Sequence, residues 1–433
     1  MTNTTLQRAK GVRDFGPAEK IKREKVIDQL KNTFESFGYS PLETPIIERY
    51  ELFASKFGQG EQSEAMQETF KLNDQGERKL VLRNEFTIPL ARYVGMNPEI
   101  KFPFKRYQIG DVFRDGPLKL GRYREFYQCD IDVVGSTNLA FDAEMLRIAQ
   151  KFFRTVNLEV NIFFNNRKLL NSILLNYEVK EKDLIEVIIS IDKLEKIGPD
   201  GVAKDLADKN VEVKRLTEIL ELLNVKGYND EKVAAIRAAI GDCDGLIEVE
   251  ETLSKLPDQT NIVFLPSLAR GLAYYTGDVF EVFLKDQEIM SSSLAGGGRY
   301  DKMLGGLIGR QEDVGAVGIS FGLEAIIDVL NKLNPETEVQ TVTQIYVCPL
   351  GEENIVASIK VSDAIRDLGF KVDMDLQNRK LKKNLEYAAD LNIPYVVILG
   401  SDELDQNKLM LRDLRSGEQG LITINELPEK IKI

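Results

Sequence analysis

Histidine is missing from all 433 residues. Its absence excludes a Ser-His-Asp triad, a Cys-His nucleophile pair, a HExxH zinc site and any histidine general base. Cysteine is scarce. Cys129, Cys243 and Cys348 lie far apart and form no CxxC pair. This argues against a disulfide framework or a thiolate zinc site, and fits a reducing, cytoplasmic compartment. No apolar run approaches the roughly 20 residues of a membrane span. The N-terminal stretch MTNTTLQRAKGVRDF is polar and lacks the apolar core of a secretion signal. No internal repeat and no low-complexity tract stands out. Chemistry must therefore use Arg, Lys, Asp, Glu, Tyr, Cys, backbone groups, a metal or the substrate itself.

What is present is the composition of a soluble globular chain, with 43% hydrophobic and 29% charged residues. Fifty-seven basic side chains against 69 acidic ones leave a formal net charge of −12. That total does not favour nonspecific nucleic-acid binding, though it leaves room for a local basic face. At roughly 150 residues per domain the length suggests two or three domains.

Periodicity predicts an amphipathic helix over residues 20–37, stopped at Gly38. Short strands are expected in ETFKLN, KLVLR, FKRYQIGDVFR and YREFYQCDIDVVG. The turn DGPLKLG makes the last two a long antiparallel hairpin. A helix over 139–155 and a strand over 157–164 follow. From about 167 to 258 the pattern becomes Lys/Glu/Leu-rich and helical, which reads as an inserted module. Strands return in NIVFLPS, GDVFEVFL and SSSLAGGGRYD. Residues 332–343 are polar and read as a linker. Beyond them strands and helices alternate in βαβαβ order and close with a strand pair, a small α/β domain.

Several constellations could carry chemistry. Arg114, Arg122 and Arg124 flank the hairpin loop, and guanidinium forks bind phosphate in bidentate fashion. Phe126 follows on the same strand face and could stack on a base. A solvated charged hairpin would give the same pattern. Gln128, Asp130 and Asp132 alternate on that strand. With Glu85 and Thr87 they could receive an ammonium or hold a metal, or simply form an exposed strand face. Arg270 precedes Tyr274 and Tyr275. The run Ala295-Gly296-Gly297-Gly298-Arg299 would allow close backbone approach to a ligand. It matches neither GxGxxG nor a Walker A loop. Arg379, Lys380, Lys382 and Lys383 cluster near a helix start and would suit a nucleic-acid backbone or a solvated face.

In this order the motifs resemble the histidyl-tRNA synthetases, members of the class II aminoacyl-tRNA synthetases. The resemblance runs from KGVRDFGP near residue 10 to the C-terminus. ETPIIERYELF is similar to motif 1, FRDGPLKLGRYREFYQCDID to motif 2 and GAVGISFGLEAI to motif 3. RGLAYYTGDVFE and LAGGGRYD resemble the segments that set histidyl enzymes apart. The resemblance implies an α+β catalytic domain on a mostly antiparallel sheet at 1–331, carrying the helical insertion, a linker at 332–343, and an α/β anticodon-binding domain at 344–433. It implies ATP-dependent activation of histidine and transfer to tRNA, with Mg²⁺, by a cytoplasmic homodimer.

The same resemblance assigns roles. Glu85, Phe86, Thr87, Gln128, Asp132, Tyr274 and Tyr275 would hold histidine. Arg114 and Arg270 would act on both the carboxylate and the α-phosphate and are the catalytic pair. Arg122, Arg124, Phe126 and Glu324 would join Arg114 around ATP. Arg379, Lys380, Lys382 and Lys383 would meet tRNA. Two departures stand out. The arginine expected after Glu324 is Ala325, for which Arg299, Lys302 or Arg310 could substitute, and Ala273 stands where the family often has Asp. They leave open an impaired paralogue that binds histidine as a regulatory subunit or senses tRNA, or a synthetase for another amino acid.

Overall fold

The structure is a computed structural model that describes residues 6–56, 64–118, 123–270, 274–307, 312–334 and 340–432. They divide into two compact units. One comprises residues 1–13 and 26–333, the other 14–25 and 334–433.

The first unit contains β1 (Ser40–Pro41), β2 (Ile47–Arg49), β3 (Lys71–Asn73), β4 (Lys79–Leu82), β5 (Phe104–Phe113), β6 (Glu125–Val134), β7 (Val160–Asn166), β8 (Ile262–Phe264), β9 (Asp278–Leu284), β10 (Ala295–Arg299) and β11 (Ala316–Gly322). Eight form one sheet in the order β1-β5-β6-β11-β10-β9-β7-β8. It is antiparallel except at its edges, where β1 pairs with β5 and β8 with β7 in parallel. A second sheet, β2-β4-β3, carries the motif 1 segment.

One face of the large sheet is sealed by helices. Cys129, Ile131 and Val133 of β6 point into a core that also holds Leu30, Phe34, Phe152, Phe153 and Phe321. Leu30 and Phe34 come from the helix Pro17–Ser36, whose proline sits at the first helical position. The helix stops where Gly38 takes φ +80 and Tyr39 N–H donates back to the Phe34 carbonyl at 3.2 Å. That left-handed residue is one a glycine adopts without strain. Between β7 and β8 run six α-helices, from Arg167–Asn176 to Asp244–Ser254, and one short 3-10 turn. Their apolar residues, Leu169, Val187, Leu223 and Val249 among them, join the same core. One helix, Thr87–Met96, occupies a stretch whose sequence reads only as pocket residues.

The second unit holds β12 (Ile345–Pro349), β13 (Val372–Met374), β14 (Tyr395–Leu399), β15 (Leu409–Asp413) and β16 (Gln419–Ile422), in the order β13-β12-β14-β15-β16. The first three are parallel and the last two antiparallel to their neighbours. Ile345 and Val347 face one apolar cluster, Tyr346 and Cys348 another. Burial on both faces explains why IYVCP and YVVIL read as unbroken apolar runs.

Candidate functional site

The open face of the large sheet is set by alternation along β6. Since Cys129, Ile131 and Val133 turn inward, Phe126, Gln128, Asp130 and Asp132 turn the other way. Register then aligns neighbours with them. On β5, Gly110, Gln108 and Arg106 lie opposite Gln128, Asp130 and Asp132. On β11, Gly322, Ser320 and Gly318 lie opposite the same three. Gly296 and Gly298 of β10 continue the rows beside Ser320 and Gly318. The result is a floor of glycines bordered by polar side chains.

The glycines are not empty space awaiting a ligand alone, as the sequence suggests. A Cβ on Gly296 would stand 1.7 Å from Nη1 of Arg270, and one on Gly318 would stand 2.1 Å from Oδ1 of Asp132. One on Gly298 would meet the Tyr275 ring at 2.9 Å. The protein's own side chains lie across these positions, so the glycines fix where the arginine, the aspartate and the tyrosine can lie.

Arg270 donates from Nη1 to the Phe280 carbonyl at 3.0 Å. Burial pulls its pKa down, but Tyr275, Glu281 and Tyr274 outweigh that and leave it raised, so it is always cationic. Arg114 donates from Nε to the Asn84 carbonyl at 3.1 Å, and its guanidinium carbon lies 5.0 Å from the Phe126 ring centre. Arg124 pairs with Asp115 at 3.0 Å. Arg122 lies outside the described residues, as do Ala273 and Arg310.

Glu324 is buried and accepts from Arg13 at 2.5 Å. The Arg13 guanidinium also lies 3.5 Å over the Tyr123 ring. The Gly11 carbonyl accepts from the Arg124 N–H at 2.9 Å, which seats the N-terminal segment on the hairpin. Of the cations considered as substitutes beside Ala325, Arg299 is committed elsewhere. It is buried among Asp142, Asp301 at 3.1 Å and the Ser136 carbonyl at 3.0 Å. Lys302 is exposed. The guanidinium at Glu324 comes instead from 311 residues away, a distance at which no sequence pattern announces a partner.

The acidic side is equally specific. Asp132 accepts the Tyr300 hydroxyl at 2.5 Å and pairs with Arg106 at 2.6 Å. Burial nevertheless raises its pKa against the pull of Arg106 and Tyr300. Gln128 donates from Nε2 to the Ser320 hydroxyl at 3.3 Å. Glu85 takes the backbone N–H groups of Thr87 and Ile88 at 3.0 and 2.6 Å, so its carboxylate caps the helix Thr87–Met96. Phe86 is wholly buried, with the Arg83 guanidinium 4.8 Å from its ring. Tyr274 and Tyr275 touch, ring centres 4.7 Å apart, and burial pushes the Tyr274 hydroxyl well up. Arg106 and Tyr300, which position Asp132, carry no sequence signal beyond their places in FKRYQ and GGGRYD.

In the second unit Arg379 is tied down. It donates to the Tyr346 hydroxyl at 3.2 Å, lies 3.7 Å from the buried Asp375 carboxylate and covers the Tyr387 ring at 4.7 Å. Lys380, Lys382 and Lys383 are exposed. Among the described residues no group of three acidic, thiol or imidazole side chains is placed to hold a metal ion.

Against known proteins, a family model described as histidyl-tRNA synthetase matches residues 11–326, and one described as anticodon binding domain matches 344–433. A histidine–tRNA ligase 1 of Bacillus cereus is 41% identical over 98% of this chain and 98% of its own. A crystal structure of histidyl-tRNA synthetase from Nostoc superposes with a TM-score of 0.86 at 30% identity, covering 98% of this chain and 99% of that one. A Bacillus halodurans structure titled ATP phosphoribosyltransferase regulatory subunit/histidyl-tRNA synthetase shares the fold at TM-score 0.74 and 20% identity, over 92% and 98%.

Proposed function

The chain belongs to the histidyl-tRNA synthetase family, and from that premise we infer that it ligates histidine to tRNA at the open face of its large sheet. The observation that carries the assignment of the site is the row of Arg270, Gly296, Gly318 and Asp132, in which glycines hold a cation and a carboxylate in fixed places on one floor.

Histidine and ATP would meet between Arg114 and Arg270. The substrate carboxylate is already an ionised nucleophile and needs no base, which suits a chain without histidine. What the reaction needs is in-line placement on the α-phosphate and neutralisation of the charge that develops there. Two guanidiniums, each tethered by one N–H to a backbone carbonyl, supply both, Arg270 where it lies and Arg114 after a turn of its guanidinium. Phe126 would take the adenine once the Arg114 guanidinium turns from its ring to the phosphate. Arg122 and Arg124 would hold the outer phosphates, and Glu324 with Arg13 would close the ATP end. Glu85, Thr87 and Gln128 would take the α-ammonium, with Phe86 as support behind them. Asp132, oriented by Arg106 and Tyr300, would take the imidazole beside Tyr274 and Tyr275. A buried polar pocket of this kind rejects side chains that leave its groups unpaired.

Mg²⁺ would enter with the ATP phosphates rather than in a protein cage. After activation the terminal tRNA hydroxyl attacks the adenylate carbonyl, and AMP leaves. Residues 344–433 would read the anticodon, with Lys380, Lys382 and Lys383 toward the tRNA backbone and Arg379 as an internal brace. The catalytic domain would span 1–331. Ile46 and Ile47, 43% and 49% exposed at the start of β2 in the small sheet, suit a homodimer contact. A stable monomer in sedimentation would overturn that assembly. The free thiols suit a reducing cytoplasm.

The test of the activity is ATP–pyrophosphate exchange on the purified protein. Exchange that depends on histidine and is lost in Arg270→Ala supports the site. Histidine binding without exchange would overturn it in favour of a non-catalytic paralogue.

A further inference from the structure

The pocket holds one more carboxylate than the family resemblance uses. Asp130 shares the face of β6 that carries Gln128 and Asp132 and is 7% exposed. Its Oδ1 has no hydrogen-bond partner among the described residues, and neither has Oε1 of Gln128 beside it. Arg106 and Oδ2 of Asp132 on the same patch also make no hydrogen bond among the described residues but balance each other as an ion pair at 2.6 Å. Buried acceptors are rarely left so, and those of Asp130 and Gln128 have no cation of their own there, which marks the seat of a ligand that donates.

The groups facing Asp130 come from each neighbouring element. They are Arg106 on β5, Asp132 on β6, Ser320 on β11 and Glu85 before the helix Thr87–Met96. Arg106 is engaged by Asp132. Both Glu85 oxygens are engaged by helix amides. The carboxylate oxygens left over are Oδ1 of Asp130 and, its ion pair with Arg106 aside, Oδ2 of Asp132.

Spacing indicates what fills the seat. Side chains two apart on a strand stand about 7 Å from each other. Carboxylate oxygens that splay apart from that spacing can each accept a hydrogen bond of about 2.8 Å from a small ring whose two donors point outward. A five-membered ring with an N–H on either side meets that requirement.

Resting on the reading of this site as a histidine pocket, we propose that Asp130 is a specificity-determining residue that, with Asp132, brackets the substrate ring, so that histidine is bound as its imidazolium. One carboxylate charge is balanced by the ring and the other by Arg106. The ring keeps the N–H of its neutral form and carries one further proton drawn from Asp130 or from water.

Proton number then controls affinity. Burial pushes the Asp130 carboxyl up to about 7, against Arg106 and Ser320 and with help from Asp132 and Glu85. Free imidazole titrates near 6.5. The complex needs one proton shared between them. Well below about pH 6 there is one too many, and well above about pH 7.5 one too few. Histidine affinity should peak near neutrality and fall on both sides.

The chain contains no histidine, so histidine labelled with ¹⁵N in its ring supplies the only imidazole signal in the sample. In the wild-type complex at pH 8 both ring nitrogens are expected to carry protons, although free histidine is then neutral. Asp130→Asn should return the bound ring to its neutral form and flatten the pH profile. It should also raise the KM for histidine about 10- to 100-fold with the KM for ATP unchanged. A purely structural role for Asp130 would not move the ring's protonation. A neutral bound ring in the wild-type protein, or an Asp130→Asn protein with unaltered ring state and histidine KM, would overturn the assignment and leave the ligase reading intact. The wild-type ring measurement stands even if the variant does not fold. Failure of the wild-type protein to bind histidine would overturn both.

Discussion

The two larger sheets use strand alternation in opposite ways. In the C-terminal sheet both faces of β12 and β14 are packed, with Tyr346, Val396 and Ile398 on one side and Ile345, Val347 and Val397 on the other. Its middle strands β12 and β14 carry no charged side chain, and its candidate binding cations sit at a helix start instead. In the large sheet only one side of β6 packs into the main apolar core; its other side is buried too from Asp130 to Val134, but beneath polar side chains and the helix Thr87–Met96. That side carries Phe126, Gln128, Asp130 and Asp132 on a glycine floor. A sheet sealed on both faces can only present ligands to its ends and connections. A sheet sealed on one face can hold a reaction on its surface, where rigid strands fix each group.

The sharpest way to break that comparison is to disturb the floor. Arg270→Ala should lower histidine-dependent exchange about 10²- to 10³-fold, the usual cost of one preorganised donor at a developing charge. Gly296→Ala should lower it in the same direction, by less, without removing a polar group, because the new Cβ would stand 1.7 Å from Nη1 of Arg270 and displace the guanidinium. Wild-type exchange in Gly296→Ala would mean that the guanidinium is not needed where it lies.

Next in size is the ATP end. Arg13 reaches Glu324 at 2.5 Å and stacks on Tyr123, where the local sequence offers only Ala325. Arg13→Ala should raise the KM for ATP about tenfold, as expected for loss of a charge-assisted contact, with the KM for histidine unchanged. An unaltered KM for ATP would reduce Arg13 to a fastening for the N-terminal segment.

These contacts also show what a sequence can disclose. The alternation in YREFYQCDIDVV made both faces of β6 readable, because strand periodicity is local. The helical insertion and the βαβαβ end domain were readable for the same reason. The helix Thr87–Met96 was not, because Glu85 reads as a ligand-binding residue until its carboxylate is seen to accept the helix amides. Arg299 and Arg270 look alike in the chain, each in a signature segment. Only the fold shows Arg299 buried against Asp142 and Asp301 while Arg270 crosses the floor. Arg13 and Arg106 were illegible as site residues for a related reason. Their partners are set by topology, and nothing near them in sequence records it.

A smaller effect tests the other half of the comparison. Lys380, Lys382 and Lys383 are exposed and Arg379 is braced by Tyr346, Asp375 and Tyr387. Replacing the three lysines by alanine should weaken tRNA binding and reduce its salt dependence by about one unit of slope for each lysine that meets a phosphate. Exchange without tRNA should be untouched. An unchanged salt slope would place the tRNA backbone elsewhere. Arg379→Ala should instead lower the stability of the C-terminal unit.

The smallest effect concerns how the helical insertion is fastened to the large sheet. Asp278 at the start of β9 is fully buried. It accepts the Thr252 hydroxyl of the insertion's last helix at 2.7 Å and the amide of Asn166, the last residue of β7, at 2.8 Å. Burial pushes its carboxyl up to about 8, with Asp142 adding to the rise. Unfolded, an aspartate titrates near 3.9. Between about pH 4 and 8 the folded protein therefore binds the extra proton, and stability falls as pH rises through that window. Asp142, pushed up to about 6, and Asp130, up to about 7, act in the same direction. Asp278→Asn keeps the shape and stays neutral, and the Thr252 hydroxyl can turn from donor to acceptor to meet the new N–H. Its thermal midpoint should decline less than that of the wild type between pH 5 and 8, by about 1–2 °C for each kcal/mol of the lost pH dependence in a unit of this size. Parallel declines in the two proteins would mean that Asp278 stays ionised in the fold and that the insertion is held to the sheet through charge.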